Sequence, residues 1–207
     1  PQLLQLRLFG LIGGASTEIG DYSTGASQVS LPHIMGSSEV YRPQTAWEVL
    51  GENTEVMVLV GADLLKTNRI DQQVADHQMH PKWKTIKENG VRFISINPQK
   101  TETDEELEAE WVKIIPNTDT ALFLAMAYHV YTNNLHDQAY LDKYTVGFDK
   151  FLPYLLGEDG DATAKTPKWA SEITGISEAK IVEMAELFAG KRTQFAGGWA
   201  IQRADHG

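Results

Sequence analysis

Residues 55–61 read EVMVLVG, a continuous apolar run that ends at a glycine. A short apolar run bounded by a turn residue predicts a strand that is buried on both faces. Further runs of this kind are RFISIN at residues 92–97, WVKII at 111–115 and QFA at 194–196. Strands buried on both faces are typical of parallel sheets, in which helices cover each face of the sheet.

Helical patterns separate these four runs. They cover residues 3–12, 26–35, 71–89, 120–131, two short stretches within 136–157, and 177–188. Pro32 predicts a bend or break in the second of these helices, and Pro81 an interruption in the third. Strands that alternate with helices predict an α/β fold of three layers, with a mainly parallel sheet and helices on both faces.

The composition limits the kinds of partner. The chain has 207 residues, 42% hydrophobic content, a net charge of −10 and no cysteine. The acidic balance argues against nucleic acid and anionic membranes, and the missing cysteines exclude thiolate metal sites within this segment. No apolar run approaches the ~18 residues of a membrane span, and no signal peptide is visible. Because the chain starts at Pro1 and stops at a loop-like Gly207, we interpret it as a piece of a longer protein.

The predicted sheet brings four loops together. In parallel α/β sheets, ligands bind beyond the carboxyl ends of the strands, so the segments after the four strands should line one crevice. Lys66 and Thr67 offer a cation and a hydroxyl to a phosphate, Asn97 stands where such folds often place a ribose-binding residue, and Asp119 could accept from a base edge. Ordinary surface side chains and a helix-capping Asp are the alternative at these positions.

Residues 197–203, GGWAIQR, follow the last strand. Two glycines allow a ligand to approach the backbone closely, and Arg203 can make two hydrogen bonds to one anionic group. A packed Trp199 beside a surface Arg203 is the alternative explanation.

Residues 20–25, GDYSTG, place Ser23 in a tight turn bounded by glycines. Three roles suit a hydroxyl in this position: a helix N-cap, a nucleophile, or an alkoxide ligand to a metal. The Gly-x-Ser-x-Gly frame of a nucleophile elbow is missing. Local chemistry alone leaves these roles open.

Several longer segments resemble one family. They are GDYSTG at 20–25, GSSEVY at 36–41, QTAW at 44–47, YTVGFD at 144–149 and GWAIQR at 198–203. Together they resemble the dimethyl sulfoxide reductase family of molybdopterin oxidoreductases. The resemblance is strongest to its trimethylamine N-oxide, dimethyl sulfoxide, and biotin or methionine sulfoxide reductases, and it extends through nearly the whole chain.

The resemblance implies a bis(molybdopterin guanine dinucleotide) molybdenum cofactor. It makes Ser23 the protein ligand to molybdenum and the catalytic residue of this segment. Positions that match cofactor-binding residues of the family are Lys66, Thr67, Ile96, Asn97, Asn117, Thr118, Asp119, Trp199, Ala200 and Arg203. Many relatives have Asp at the position of Asn97, and Gln at that of Asn117, so these two roles depart from the family pattern.

The resemblance also implies the wider setting of the chain. Residues 1–50 would carry the molybdenum-ligand loop, and residues 51–207 would form an α/β domain that binds one molybdopterin dinucleotide within a larger molybdoenzyme. The whole enzyme would transfer an oxygen atom from a small S-oxide or N-oxide in anaerobic respiration, with electrons from a c-type cytochrome or another donor. The remaining domains of the same chain would be needed, so the isolated segment should be inactive. We expect a periplasmic location, with the cytoplasm as the alternative, and no insertion into the membrane.

Two other functions compete with this one. A nicotinamide-dependent dehydrogenase needs a Gly-x-Gly-x-x-Gly turn after its first strand, and this chain has Gly61-Ala62-Asp63-Leu64 there. A non-catalytic nucleotide-binding α/β module would use Ser23 only as a helix cap.

Overall fold

The structure, a computed structural model, describes residues 2–16, 25–37, 45–67 and 77–203. The predicted Ser23, and residues 71–76 of a predicted helix, lie outside these ranges. Contacts along the chain divide it into two units, Pro1–Ser38 and Glu39–Gly207. The domain boundary expected after residue 50 stays a prediction.

The first unit contains helices α1 (Gln2–Leu11) and α2 (Gly25–Met35). Both helices were predicted from their apolar composition. Helix α2 continues through Pro32, so the helix is not broken there, and the alternative of a bend stays a prediction. Leu3 and Leu11 of α1 are exposed. Most helices in proteins are stabilised mainly by packing an apolar face against another part of the protein.

The second unit is built on a sheet of four strands. They are β1 (Val56–Val60), β2 (Arg92–Asn97), β3 (Glu110–Lys113) and β4 (Thr193–Gly197). Their order is β3-β2-β1-β4, and every pair is parallel. Val56 is in register with Arg92 on one side and with Thr193 on the other, so the strands start at a common amino edge and end at a common carboxyl edge.

Helices cover both faces of this sheet. The described helices are α3 (Trp47–Asn53), α4 (Leu64–Thr67), α5 (Met79–Glu88), α6 (Glu102–Glu106), α7 (Asp119–Thr132), α8 (Gln138–Tyr144), α9 (Phe148–Leu156), α10 (Pro167–Thr174), α11 (Glu178–Gly190) and the 3₁₀ helix Ile201–Arg203. None of the described helices is long and apolar enough to cross a lipid bilayer.

Alternating residues of β1 enter two separate cores. Val58 packs in one core with residues of α7, α10 and α11. Met57 and Leu59 pack in the other with Met79 and Trp83 of α5. Since successive side chains of a strand point to opposite faces, a fully apolar strand fills both cores. The predicted three-layer, parallel α/β fold is confirmed.

Two helices of this unit begin at residues that usually disfavour helix interiors. An interruption was predicted near Pro81, and α5 begins at Met79, after the non-helical residues 77–78. Pro81 lies in its first turn, where a missing N–H costs no helical hydrogen bond. Helix α6 lies in an acidic run, with Thr103 and Asp104 buried. The Asp104 carboxylate accepts a hydrogen bond from the Thr101 N–H at 2.7 Å and closes the helix start.

Candidate functional site

The loops that follow β1 and β4 touch at the carboxyl edge of the sheet. The Gly198 N–H donates to the Val60 carbonyl oxygen at 2.8 Å. A Cβ atom added to Gly198 would lie 2.0 Å from the Gly61 carbonyl oxygen, so only glycine fits there. Gly61 itself has a φ of +58°, in the left-handed region that favours glycine. The sequence therefore needs a glycine after each of these strands to bring the two loops together.

Helix α4 presents two of the predicted phosphate-binding residues. The Asp63 carbonyl oxygen accepts hydrogen bonds from the backbone N–H groups of Lys66 and Thr67 and from the Thr67 hydroxyl. One Asp63 carboxylate oxygen lies 3.5 Å from the Lys66 ammonium. The Lys66 side chain is 57% exposed, so a cation and a hydroxyl stand at the surface of this edge.

Asn97 lies at the end of β2 and is buried. Its amide nitrogen donates to the Ser95 hydroxyl at 2.8 Å and, more weakly, to the Ala62 carbonyl oxygen at 3.4 Å. These bonds orient the amide and link the ends of β1 and β2. The amide oxygen is then the atom suited to accept from a ligand hydroxyl. The neighbouring Ile96 is fully buried in the core, and its carbonyl oxygen accepts a hydrogen bond from the Gly61 N–H at 3.1 Å.

The segment after β3 turns into α7. Asn117 has a φ of +67°, a conformation that Asn adopts more readily than most residues. The Thr118 hydroxyl donates to the Ile115 carbonyl oxygen at 2.7 Å. Asp119, the first residue of α7, is partly buried, and this burial raises the pKa of its carboxyl group above the ordinary value.

Asp119 is one of the residues around a shallow cavity that also reaches the loop after β4. The cavity has a volume of about 340 Å³, and Ile201 lines it together with residues of α7. Its apolar lining comes mainly from Phe123, Leu124 and Phe151. A half-buried carboxylate beside an apolar cavity can accept hydrogen bonds from the edge of a flat heteroaromatic base whose faces contact the apolar wall.

Trp199 and Arg203 extend from the loop after β4. Trp199 is 49% exposed, and the Arg203 guanidinium lies 5.7 Å from the centre of its ring system. The Arg203 N–H donates to the carbonyl oxygen of the exposed Ala200 at 3.1 Å, which closes the 3₁₀ turn. An exposed ring with a stacked cation suits contact with an anionic, aromatic ligand better than core packing.

The structure gathers most of the predicted residues at one edge. All of the predicted cofactor-binding positions lie at the carboxyl ends of β1, β2, β3 and β4 or after them, as parallel topology requires. Ser23 lies outside the described residues. Asp63 and Thr103, which hold α4 in place, were not predicted, because Asp63 stood in a turn without a motif and Thr103 in an acidic run. Within the described ranges, no three His, Asp or Glu side chains gather as metal ligands.

Fold and loops together define the class of protein to which the chain belongs. The unit of residues 39–207 is a parallel α/β domain that presents Lys66, Asn97, Asp119 and Arg203 at its carboxyl edge. A family model described as "Molybdopterin oxidoreductase" matches residues 2–207. The chain belongs to the molybdopterin oxidoreductase family and, as its segments predicted, to the dimethyl sulfoxide reductase family within it.

Named relatives agree with this membership. The chain is 47% identical to the dimethyl sulfoxide/trimethylamine N-oxide reductase of Rhodobacter capsulatus over 97% of its own length and 24% of the relative. It is 47% identical to the protein of the same name from Cereibacter sphaeroides, over 100% of the chain and 25% of the relative. It is 44% identical to trimethylamine-N-oxide reductase 1 of Escherichia coli K12, over 91% of the chain and 23% of the relative.

A solved structure shares the fold. Acetylene hydratase from Pelobacter acetylenicus matches 73% of this chain and 19% of its own, with a TM-score of 0.54 and 22% identity. The chain spans about a quarter of the length of the curated relatives it matches. Family membership implies a molybdenum–molybdopterin cofactor.

Proposed function

We propose that this chain is the central segment of a molybdenum-dependent reductase of S-oxides or N-oxides, with bis(molybdopterin guanine dinucleotide) as its cofactor. The observation that carries the proposal is the gathering of Lys66, Asn97, Asp119 and Arg203 on the loops of one sheet edge. The names of the relatives, which are dimethyl sulfoxide and trimethylamine N-oxide reductases, supply the substrate class.

The residues at this edge fit a guanine dinucleotide. Lys66 would hold a phosphate through its exposed ammonium. The Thr67 hydroxyl would join it by turning its proton from the Asp63 carbonyl oxygen to the phosphate. Asn97 would accept from a ribose hydroxyl, which needs only the amide oxygen and not the charge of the Asp common among relatives. Asn117 and Thr118 would orient Asp119, which would accept from the N–H donors of a guanine edge.

The loop after β4 would complete the binding of the same dinucleotide. Trp199 and Ala200 would contact the pterin side through the exposed turn, and Arg203 would pair with a phosphate or with the pterin. Ile96 would support the site from the core, where its carbonyl oxygen accepts the Gly61 N–H. The molybdenum-pterin group supplies the two-electron oxygen-atom transfer when bound, while the protein binds and orients it.

Ser23 would hold the metal as an alkoxide. A hard oxygen ligand suits a metal centre that exchanges oxygen atoms with its substrate. Residues 1–50 would therefore carry the metal ligand and residues 51–207 would bind one dinucleotide. Other parts of the whole protein would complete the active site, so we expect the isolated segment to be inactive. We further propose a periplasmic location, with a c-type cytochrome or another electron donor in anaerobic respiration.

The first experiment is elemental analysis of the purified full-length protein, together with measurement of the GMP released by acid. One molybdenum and about two GMP per chain would support the bis-dinucleotide cofactor. Protein from a cofactor-competent host that holds neither molybdenum nor GMP would contradict the proposal.

Substitution of Ser23→Ala in the full-length protein tests the metal ligand. We expect the reduction of trimethylamine N-oxide and dimethyl sulfoxide to be abolished, because the metal loses its only ligand from this segment. Ser30→Ala, at an exposed position of α2, is the matched control and should leave turnover unchanged. Full turnover in Ser23→Ala would show that Ser23 is not the metal ligand. It would support the alternative in which Ser23 only caps a helix and the chain is a nucleotide-binding module.

A further inference from the structure

Thr103 is fully buried on the first turn of α6, and both functions of its hydroxyl are used. The hydroxyl donates to an Asp63 carboxylate oxygen at 2.5 Å and accepts from the Leu65 N–H at 3.1 Å. Both partners belong to the turn that carries Lys66 and Thr67, about forty positions away in sequence. A single hydroxyl therefore fastens α4 to α6 at two points.

Asp63 connects this hydroxyl to the lysine. Its backbone carbonyl oxygen accepts the N–H groups of Lys66 and Thr67, and its second carboxylate oxygen lies 3.5 Å from the Lys66 ammonium. The Asp63 side chain is far less exposed than that of Lys66, 22% against 57%. The chain of contacts thus runs from the buried Thr103 through the half-buried Asp63 to the exposed Lys66.

We infer that Thr103 is a positioning residue for cofactor binding, which acts by fixing the Asp63 turn that presents Lys66 and Thr67 to a phosphate. This inference rests on the proposed function. Without the hydroxyl, the Leu65 N–H and the Asp63 carboxylate would both lose a buried partner, and the turn could relieve this only by moving. Movement of the turn would displace both phosphate-binding side chains together, and binding that depends on orientation is sensitive to shifts of about 1 Å.

Three variants of the full-length protein separate positioning from stability. Thr103→Val keeps the shape of the side chain and removes the hydroxyl, and Thr103→Ser keeps the hydroxyl. Thr174→Val is the matched control. Thr174 is also fully buried, and its hydroxyl likewise donates to a carbonyl oxygen, that of Ala170 at 2.8 Å, and accepts from a backbone N–H, that of Ile176 at 3.2 Å. Its hydroxyl contacts none of the predicted cofactor-binding residues.

Two quantities are measured for each variant: molybdenum and GMP per chain, and the unfolding temperature of protein from a host that cannot make the cofactor. We expect both Val variants to lower the unfolding temperature of the cofactor-free protein. Only Thr103→Val should bind the cofactor more weakly, by roughly tenfold, as expected for loss of a hydrogen bond to a charged group. Thr103→Ser should restore wild-type loading.

Equal loading of wild type and Thr103→Val would overturn the inference, and so would an equal loss in Thr174→Val. If Thr103→Val yields no folded protein, Asp63→Ala takes its place, since it removes the carboxylate that accepts from the Thr103 hydroxyl, while Asp63→Asn keeps an oxygen for that hydroxyl. Lower loading in Asp63→Ala than in Asp63→Asn would support the inference, and equal loading in the two variants would refute it. A wild-type protein without molybdenum and GMP is a different result, because it contradicts the proposed function itself.

Discussion

The two edges of the sheet use their charged residues in opposite ways. At the amino edge, Glu55 pairs with Lys191 and Arg192, while Glu110 accepts hydrogen bonds from Lys180 and Arg92. These cations and carboxylates neutralise one another within the protein. At the carboxyl edge, the charged residues stand beside an exposed aromatic ring, glycines and an apolar cavity.

Two carboxyl groups show the difference most clearly. Burial alone would raise the pKa of Glu110, but the hydrogen bonds from Lys180 and Arg92 outweigh it and lower that pKa. Burial raises the pKa of Asp119 and outweighs the hydrogen bond from its own backbone N–H, and no cation among the described residues counters it. A structural carboxylate is thus stabilised by its own fold, whereas Asp119 carries a desolvation cost that a ligand with N–H donors could offset. The charged residues at the amino edge of the sheet therefore stabilise the fold, whereas those at the carboxyl edge are suited to binding a ligand.

The largest effect on the carboxyl edge is expected from Gly198→Ala. The new Cβ would meet the Gly61 carbonyl oxygen, and backbone atoms cannot move aside as a flexible side chain can. We expect about 1–3 kcal/mol lower stability, typical of overpacking, and loss of cofactor because the loop of Trp199 is displaced. Urea unfolding of the full-length protein and its GMP content measure the two effects.

Gly190→Ala is the control for this prediction. Gly190 ends α11, and a Cβ there would have no heavy atom within 4 Å. Its stability should be unchanged or up to about 1 kcal/mol higher, since Ala is the better helix former. A Gly198→Ala protein with wild-type stability and cofactor content would show that the contact between the two loops is not needed.

The next effect concerns cofactor binding without loss of stability. Lys66→Ala should weaken binding of the dinucleotide about 10- to 100-fold, because a charged hydrogen bond to phosphate contributes about 1.5–3 kcal/mol. Lys84→Ala is the control, since Lys84 is 67% exposed and pairs only loosely with Glu88 on α5. Retention of GMP during dilution and gel filtration measures the difference. Equal retention in both variants would remove Lys66 from the binding site.

The fold was predictable because its strands are fully apolar. A run such as residues 56–60 cannot face water on either side, so it demands helices on both faces and a parallel sheet. Helices α3 and α10 were not predicted, because they are short and their apolar residues show no long period. Helix α10 relies on a local signal instead, the Thr166 hydroxyl that accepts from the Trp169 N–H.

The positions of the candidate site were predictable from topology, but its internal contacts were not. Parallel strands place their following loops at one edge, which is why Lys66 and Asn97 were expected on the same side of the sheet. The hydrogen bond between Thr103 and Asp63 joins residues that are far apart in sequence, and local sequence patterns do not predict tertiary contacts of this kind. The contact of Gly198 is a second case of this kind. Gly197 and Gly198 predicted that a ligand could approach the backbone closely, and the structure places the backbone of Gly61 against Gly198.

The smallest effect compares the two carboxyl groups directly, through stability against pH in the cofactor-free, full-length protein. The lowered pKa of Glu110 means that its ionised form stabilises the fold above its unfolded-state pKa, and that this contribution is lost as the pH falls through its folded-state pKa. Glu110→Gln should therefore cost about 1 kcal/mol or less at neutral pH and nothing in acid, since Glu183 remains beside Lys180.

The raised pKa of Asp119 has the opposite effect on stability: its contribution is present at low pH and lost as the pH rises through its folded-state pKa. Asp119→Asn should accordingly stabilise the cofactor-free protein at neutral pH, with the gain vanishing in acid, while it weakens retention of GMP. Urea unfolding from neutral to acidic pH measures both trends. If the two variants changed stability in the same direction at neutral pH, the two edges would not differ in their electrostatics as described.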